Sequence, residues 1–565
     1  MVGQGVFSTS SYPSLSSLTM KASALGAVLL ALAAPIAAVP TRRASPTIAL
    51  DNGTFVGTTS GKVNKFLGIP FAQPPVGDLR FNLPKATDPY VGTHTVTSFG
   101  PACPQQALTL PLPAGLAQDA VDFVVNTIYG AVFPDDEDCL TLNVVTPSNA
   151  TPGSKLPVVA WIFGGGFEIG SPSLYDGKVI VEQAISLNQP VIFVSMNYRV
   201  SAFGFLAGQE VKDAGVGNLG LHDQRLAFRW IQKYIGVFGG DPSKVTIWGE
   251  SAGAISIGLH MVANGGDTEG LFRAGFMQSG SPPPVGDITH GQKYYDAIVS
   301  ETGCSGSSDT LQCLREVPYD TLKNAADNSP SLFSYQSLNL AWLPRVDGVF
   351  VTAPPQELVS QGKVANIPFI TGDCDDEGTL FSLANLNITT DAKVHKYLKD
   401  IYLPNASDAE IDQILAAYPS DVTQGSPFDT GLFNVLTPQF KRLAAIQGDV
   451  VFQAPRRFFL QQRSGKQNTW SFLNKRLKAL PVLGSAHATD ILNAFGGGDM
   501  AAYLIRFATN LDPNGGNNLA WPKYTTGSPK QLTFLDGLIP EVLTDDTYRT
   551  QGFNVLTTLS GKYPI

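Results

Sequence analysis

The feature that most constrains this chain is the stretch Phe238 to Gly253, where a short apolar run, Val245 to Trp248, stops at Gly249-Glu250-Ser251-Ala252-Gly253. The run has the length and content of a buried strand, and the small residues after it have helical character. A Gly-x-Ser-x-Gly between a strand and a helix is a sharp turn. It holds the serine in a strained backbone conformation, and glycine two residues to either side leaves room for the two arms to approach. Such a turn exposes the Ser251 hydroxyl above a sheet and puts the Ala252 amide at a helix N-terminus, where it can donate to a developing oxyanion. A Gly- and Ser-rich loop yields the same pattern by chance, but the flanking strand and helix favour a nucleophile.

The rest of the chain supplies the sheet that such a turn needs. Leu142 to Val145 and Val158 to Phe163 are strands, the second a continuous apolar run of the kind buried on both faces; Val191 to Met196 is another buried strand, and Leu221 to Ile235 carries apolar residues at helical spacing. Alternating buried strands and helices predict an α/β doubly wound sheet. Thr47 to Asn64 reads as a hairpin turning at Asn52-Gly53, Lys65 to Arg80 as a Pro-rich connector, and the C-terminal region as helical. No repeat or long linker interrupts the 565 residues, which predicts one large domain.

A serine nucleophile needs an oxyanion hole, a base and an acid to orient the base. Gly164-Gly165-Gly166-Phe167 follows the strand ending at Phe163. Without side chains, the amides of Gly165 and Gly166 can approach an ester carbonyl and complete the hole with Ala252. A plain flexible turn is the bland reading; phosphate binding lacks the Lys-Ser/Thr of a P-loop. Of six histidines, only His395 and His487 follow a plausible acid in the order nucleophile, acid, histidine. His395 lies in the charged amphipathic segment Asp391 to Tyr402 and reads as a surface residue, whereas His487 lies in a loop before a helix, where a base can reach the serine. The acid should leave a strand end between these positions. Ile367 to Thr371 is such a strand, followed by Gly372-Asp373-Cys374-Asp375-Asp376-Glu377-Gly378-Thr379. A solvated turn, a metal site and a catalytic acid all fit four clustered carboxylates, and the residues alone leave the choice open.

The N-terminal region bears on compartment. Met20-Lys21 precedes an apolar run from Ala22 to Val39 that ends in small residues, the shape of a secretory signal, so residues 1–43 are expected to be leader and propeptide. The run contains Pro35 and is followed by Arg42-Arg43, which argues against a stable membrane span. Five cysteines fit export: Cys103 with Cys139 and Cys304 with Cys313 could close two loops, leaving Cys374 alone, though other pairings are open. Four sequons, at Asn52, Asn149, Asn387 and Asn405, agree with a secreted glycoprotein. Charged residues are only 15% and the net charge is −9, which excludes the basic surface of a nucleic-acid binder.

Several motifs together resemble the type-B carboxylesterase/lipase family, in its branch of fungal secreted lipases and sterol esterases. They are Glu137 to Val144, Gly164 to Phe167, Asn197-Tyr198-Arg199, Gly217 to Arg225 and Phe238 to Gly253, and the resemblance runs from about Pro46 to the C-terminus. It implies an α/β-hydrolase fold: a large, mostly parallel twisted sheet flanked by helices, in a catalytic domain spanning 44–565. It implies Ser251 as nucleophile, Glu377 as acid and His487 as base, the pairs Cys103–Cys139 and Cys304–Cys313, and no metal or organic cofactor. Glu250, beside the nucleophile, is expected to be a buried network member. Cys374 lies outside the family pattern. The resemblance also makes the disulfide-closed segment 103–139 a lid. Within it Val121, Val124, Val125, Ile128 and Val132 fall on one stripe at helical spacing, although an ordinary surface helix facing the core has the same stripe. The expected partner is a lipid or ester substrate at a lipid–water interface, met by a monomer or weak dimer. A carboxylesterase for small soluble esters shares every catalytic residue; a noncatalytic cholinesterase-like binding protein would lose one of them.

Overall fold

A computed structural model describes residues 45–109 and 134–565. The leader segment 1–43 and the stripe Val121, Val124, Val125, Ile128 and Val132 lie outside the described residues.

Among the described residues the strands are β1 (Thr47–Leu50), β2 (Asn52–Val56), β3 (Thr58–Ser60), β4 (Val63–Pro70), β5 (Val91–Thr95), β6 (Thr141–Pro147) and β7 (Leu156–Ile162). The second half of the chain adds β8 (Ile192–Met196), β9 (Gly240–Glu250), β10 (Ala274–Gln278), β11 (Phe369–Cys374), β12 (Thr469–Asn474), β13 (Lys530–Phe534) and β14 (Glu541–Asp545). β1, β2 and β5 make a small sheet; the other eleven make one sheet in the order β14-β13-β12-β11-β10-β9-β7-β8-β6-β4-β3. From β8 to β13 every neighbouring pair is parallel, and antiparallel pairs finish both edges. β6, β8, β10, β11 and β12 are buried at every residue, covered on both faces, although all of them include polar residues.

The sheet order explains where the site lies. β7 connects forward to β8 on one side, and the chain then returns to place β9 on the other side of β7. The segments leaving the carboxyl ends of β7 and β9 therefore diverge across a crevice, the usual ligand position in a doubly wound sheet. Gly164 to Phe167 leaves β7 and Ser251 leaves β9.

Three local expectations shift. The first hairpin turns at Asp51, which has φ 49°, and Gly53 pairs with Leu50 inside the ladder. The connector begins as strand: β4 runs through Phe66 to Pro70, with a register shift between Phe66 and Ile69 around Gly68. Gly68, at φ 76°, donates its N–H to Asn143 Oδ1, so the glycine that reads as a breaker is a bulge. The C-terminal region holds helices but also β12, β13 and β14.

The motif residues that do no chemistry brace this frame. Arg199 grips Asp223 through both carboxylate oxygens, at 2.9 and 2.8 Å, with both side chains buried. Asn197 Nδ2 donates to the carbonyls of Pro101 and Cys139, and Tyr198 Oη donates to Phe163 O at 2.8 Å, at the root of the glycine loop. Disulfides join Cys103 to Cys139 and Cys304 to Cys313. Behind the acid turn, Arg456 bridges Asp373 (2.7 Å) and Asp546 (3.0 Å), and all three side chains are fully buried. Removing the cation would strand two carboxylates away from water. Arg456→Met is expected to cost about 3–5 kcal/mol in denaturant unfolding, the scale for breaking a buried ion pair.

Candidate active site

Ser251 sits between β9 and the helix Ala252–Val262 with φ 55° and ψ −123°, a conformation L-residues rarely adopt. The turn is as tight as its glycines imply. A Cβ on Gly253 would lie 2.1 Å from Ile162 O, and one on Gly249 would lie 2.6 Å from the backbone of Gly253. The Ser251 amide donates to Gln278 O on neighbouring β10, and its carbonyl accepts from Ile255 N, both at 2.8 Å. The strain is held by flanking structure rather than by Ser251 itself.

The structure brings the three expected chemical groups together in one buried line. His487 Nε2 lies 2.8 Å from Ser251 Oγ, and His487 Nδ1 lies 2.5 Å from Glu377 Oε2. Glu377 and His487 come from the loops that follow β11 and β12, the two strands farther along the same parallel edge. The other carboxyl oxygen of Glu377 accepts from Ser279 Oγ at 2.7 Å and from the Cys374 amide at 2.5 Å. Phe452 packs 4.5 Å and Phe381 5.2 Å, centroid to centroid, from the imidazole, closing it from water. His395 stays on a surface helix, 3.6 Å from Asp412.

The remaining carboxylates of the acid turn are each occupied elsewhere. Asp373 faces Arg456; Asp375 and Asp376 both reach Lys478, at 2.5 and 2.7 Å. Asp376 also accepts from the amides of Ser485 and Phe428. Among the described residues no group of three or more His, Cys, Asp or Glu is placed to hold a metal ion.

On the nucleophile's other side, Gly166 and Ala252 line the same pocket as Ser251. Gly165 stands just behind, with φ 115° and no room for a side chain, since a Cβ would fall 2.3 Å from Ile169 O. Gly164 is forced by close approach: a Cβ there would meet Glu250 Oε2 at 2.6 Å and Ser251 Cβ at 2.8 Å. Glu250 itself is buried with Oε1 3.3 Å from His487 Nε2. Burial, with Asp490 and Glu377 nearby, pushes its carboxyl well above the ordinary range. Glu168, equally buried on the glycine loop, is pushed up to about 8 by desolvation while accepting from Leu332 N at 2.7 Å. Sequence reading missed Glu168, Ser279 and Phe452. None of the three stands in a motif; Ser279 directly follows β10, a strand without a continuous apolar run.

Burial drives the His487 imidazole toward its neutral form, against the pull of Asp490 and Asp373. Burial pushes the Glu377 carboxyl up to about 8, against the Ser279 and Cys374 hydrogen bonds that act downward. A base works only when unprotonated, so ester hydrolysis should fail as pH falls through the depressed His487 pKa. The acid limb of a kcat/KM profile is therefore expected below the ordinary imidazole value of about 6.5; a limb at or above that value contradicts the buried, desolvated base.

The pocket facing Ser251 is walled by Phe167, Leu332, Leu340, Leu343, Phe381 and Val451 among other residues that are nearly all apolar. Among the described residues no helix is long and apolar enough to cross a membrane.

Comparison with known proteins agrees with this architecture. The family model described as "Carboxylesterase family" matches residues 44–548. The chain is 46% identical over 530 residues to "Lipase 4" of Diutina rugosa, covering 91% of this chain and 96% of that one. It is 43% identical over 509 residues to "Secreted lipase 1" of Botryotinia fuckeliana, covering 86% and 89%. The crystal structure of EstA from Aspergillus niger superposes with a TM-score of 0.79 at 28% identity, covering 92% of this chain and 99% of EstA. By the span of the family match and its identity to these relatives, the chain belongs to the carboxylesterase family and is a carboxylic-ester hydrolase of the α/β-hydrolase fold.

Proposed function

We propose that this protein is a secreted lipase or sterol esterase in which Ser251, His487 and Glu377 are the catalytic triad. His487 takes the proton from Ser251 Oγ as the oxygen attacks the ester carbonyl, and Glu377 stabilises the imidazolium. Amides of Gly165, Gly166 and Ala252 hold the oxyanion. The imidazolium returns its proton to the departing alcohol, and water then cleaves the acyl-enzyme by the same route. The line of hydrogen bonds from Glu377 through His487 to Ser251 supports the roles.

The observation that carries the substrate reading is the apolar pocket at Ser251. Its lining is almost wholly apolar, and a long acyl chain buries apolar surface there at roughly 25 cal/mol per Å², a gain that a small soluble ester cannot match. Segment 103–139 is read as the lid over its mouth and 44–565 as one catalytic domain, built on the continuous eleven-stranded sheet. The leader-like N-terminus, two disulfides among the described residues and the names of the relatives support secretion. Asn52, Asn149, Asn387 and Asn405 are all exposed, as glycosylation requires.

Rates on cholesteryl oleate, tributyrin and p-nitrophenyl acetate, measured side by side, test the reading. Long-chain activity is expected to rise sharply above the substrate's dispersal limit, and Val124→Asp with Ile128→Asp should abolish the rise while sparing the acetate. A preference for acetate with no such rise would make this a carboxylesterase for small esters, and absence of all three activities would leave only binding.

A further inference from the structure

The glycine loop beside Ser251 is held in a conformation that its residues do not favour. Gly165, Gly166 and Phe167 follow one another at φ 115°, 64° and 60°, and Phe167 adopts this region with a Cβ in place. Such backbone persists only where the surroundings over-determine it. Within the loop, Gly165 O accepts from the amides of both Glu168 and Ile169 at 3.1 Å, which closes one tight turn. The Gly165 and Gly166 amides donate to no protein acceptor among the described residues, so the turn holds them without occupying them. From outside, Ser201 N donates to Phe167 O at 2.6 Å and Gln106 N to Glu168 O at 2.9 Å.

Glu168 adds a side-chain tie to these. Its carboxyl is fully buried and accepts from Leu332 N at 2.7 Å, while its other oxygen, Oε1, has no protein hydrogen-bond partner. Leu332 lies outside any helix or strand, so no ladder or helical turn places it. Its side chain walls the pocket at Ser251 and comes within 3.3 Å of where a Cβ on Gly166 would stand. Leu332 therefore meets the glycine loop twice, by its side chain on the pocket side and by its amide at Glu168. Nearby, Gln106 Nε2 donates to Ser329 O and Ala107 N to Asp327 Oδ1, whereas Glu168 reaches the same segment from the glycine loop itself. No cation sets the protonation of this carboxyl: burial raises its pKa and the Leu332 amide lowers it. A neutral acid clamps the loop without placing negative charge behind a developing oxyanion.

Resting on the reading of Gly165, Gly166 and Ala252 as the oxyanion hole, we propose that Glu168 is a positioning residue for that hole. Through Leu332 it locks the glycine loop against the pocket wall and keeps the Gly165 and Gly166 amides aimed at the reacting carbonyl. Its contribution belongs to the transition state, where the oxygen carries charge, and not to binding of the acyl chain.

Three variants test this on a p-nitrophenyl ester and on a trifluoromethyl ketone of the same chain length, whose adduct with Ser251 puts an anionic oxygen in the hole. Glu168→Leu occupies a similar volume but removes the acceptor. Its kcat should fall about ten- to a hundredfold, less than the roughly 10²- to 10³-fold for outright loss of an oxyanion donor. KM and the affinity of a non-reacting ether analogue should stay within about twofold of wild type, while the ketone Ki rises in step with the loss in kcat/KM. Glu168→Gln keeps an acceptor and carries no charge, so its kcat should lie within about threefold of wild type. Glu168→Asp, shorter by one methylene, should repeat the leucine pattern to a smaller degree, and it decides the question if the leucine variant does not fold. A merely structural role lowers the unfolding midpoint and leaves kcat and ketone affinity of the folded enzyme unchanged; that result overturns the proposal. So does a glutamine variant as impaired as the leucine one, or an aspartate variant indistinguishable from wild type. Failure of the oxyanion reading itself is distinguishable: the ketone would then bind wild-type enzyme no more tightly than the ether does.

Discussion

Ser251→Ala is expected to lower kcat by about 10⁵- to 10⁶-fold, the scale on which removal of a serine nucleophile acts in a hydrogen-bonded triad. Three observations set the size. The hydroxyl is 2.8 Å from a buried imidazole, the backbone conformation that presents it is fixed by Gln278 and by glycines that admit no side chain, and alanine keeps the serine's Cβ while removing only the hydroxyl. The variant should therefore fold with an unchanged unfolding midpoint, and the loss should appear in kcat with KM little altered. Residual turnover from the oxyanion amides and binding alone should remain about 10³- to 10⁴-fold above water. A variant that keeps a tenth of wild-type activity would remove Ser251 from the chemistry.

Glu377→Gln should cost about 10³- to 10⁴-fold in kcat. The amide is isosteric and can still accept from Ser279 or the Cys374 amide through its oxygen. Its NH₂ then faces His487 Nδ1, and a donor facing Nδ1 favours the tautomer that carries its proton on Nε2, pointed at the serine it should deprotonate. Asp376→Asn supplies the contrast. Asp376 is as buried as Glu377 but is bound to Lys478 and two amides, so its loss should lower the unfolding midpoint while the folded fraction keeps kcat within about tenfold. A large kcat loss at Asp376 with a small one at Glu377 would move the acid by one position.

That contrast also shows where reading the sequence stops. The Ser251 turn is legible because its cause is local: strand, glycines and helix lie within sixteen residues, Phe238 to Gly253. The base could be reached by chain order and elimination. The acid could not, because the four carboxylates from Asp373 to Glu377 are distinguished only by distant partners, Arg456, Lys478 and His487. The same holds for Ser279 and Phe452, which meet the triad from β10 and from a π-helical turn with no motif around either. In the fold, β7, β8 and β9 stand out by their apolar runs, whereas the buried β10 and β12, with Gly, Gln, Ser, Thr and Asn among their residues, do not, and β14, at the sheet's edge, mixes partly buried with exposed residues. At Gly68 and Pro70 the ordinary breaker signals mark a bulge and a strand end, a distinction made by Asn143 across the ladder.

The central claim, that one strained serine does the chemistry under the control of His487, is most directly tested by active-site phosphorylation. Treatment with diethyl p-nitrophenyl phosphate should inactivate the enzyme in step with the addition of one phosphoryl group per chain. Peptide mass spectrometry should place that group on Ser251, and His487→Ala should suppress the labelling. Complete inactivation with the adduct on another residue, such as Ser279, or full activity in a chain quantitatively labelled at Ser251, would contradict the account.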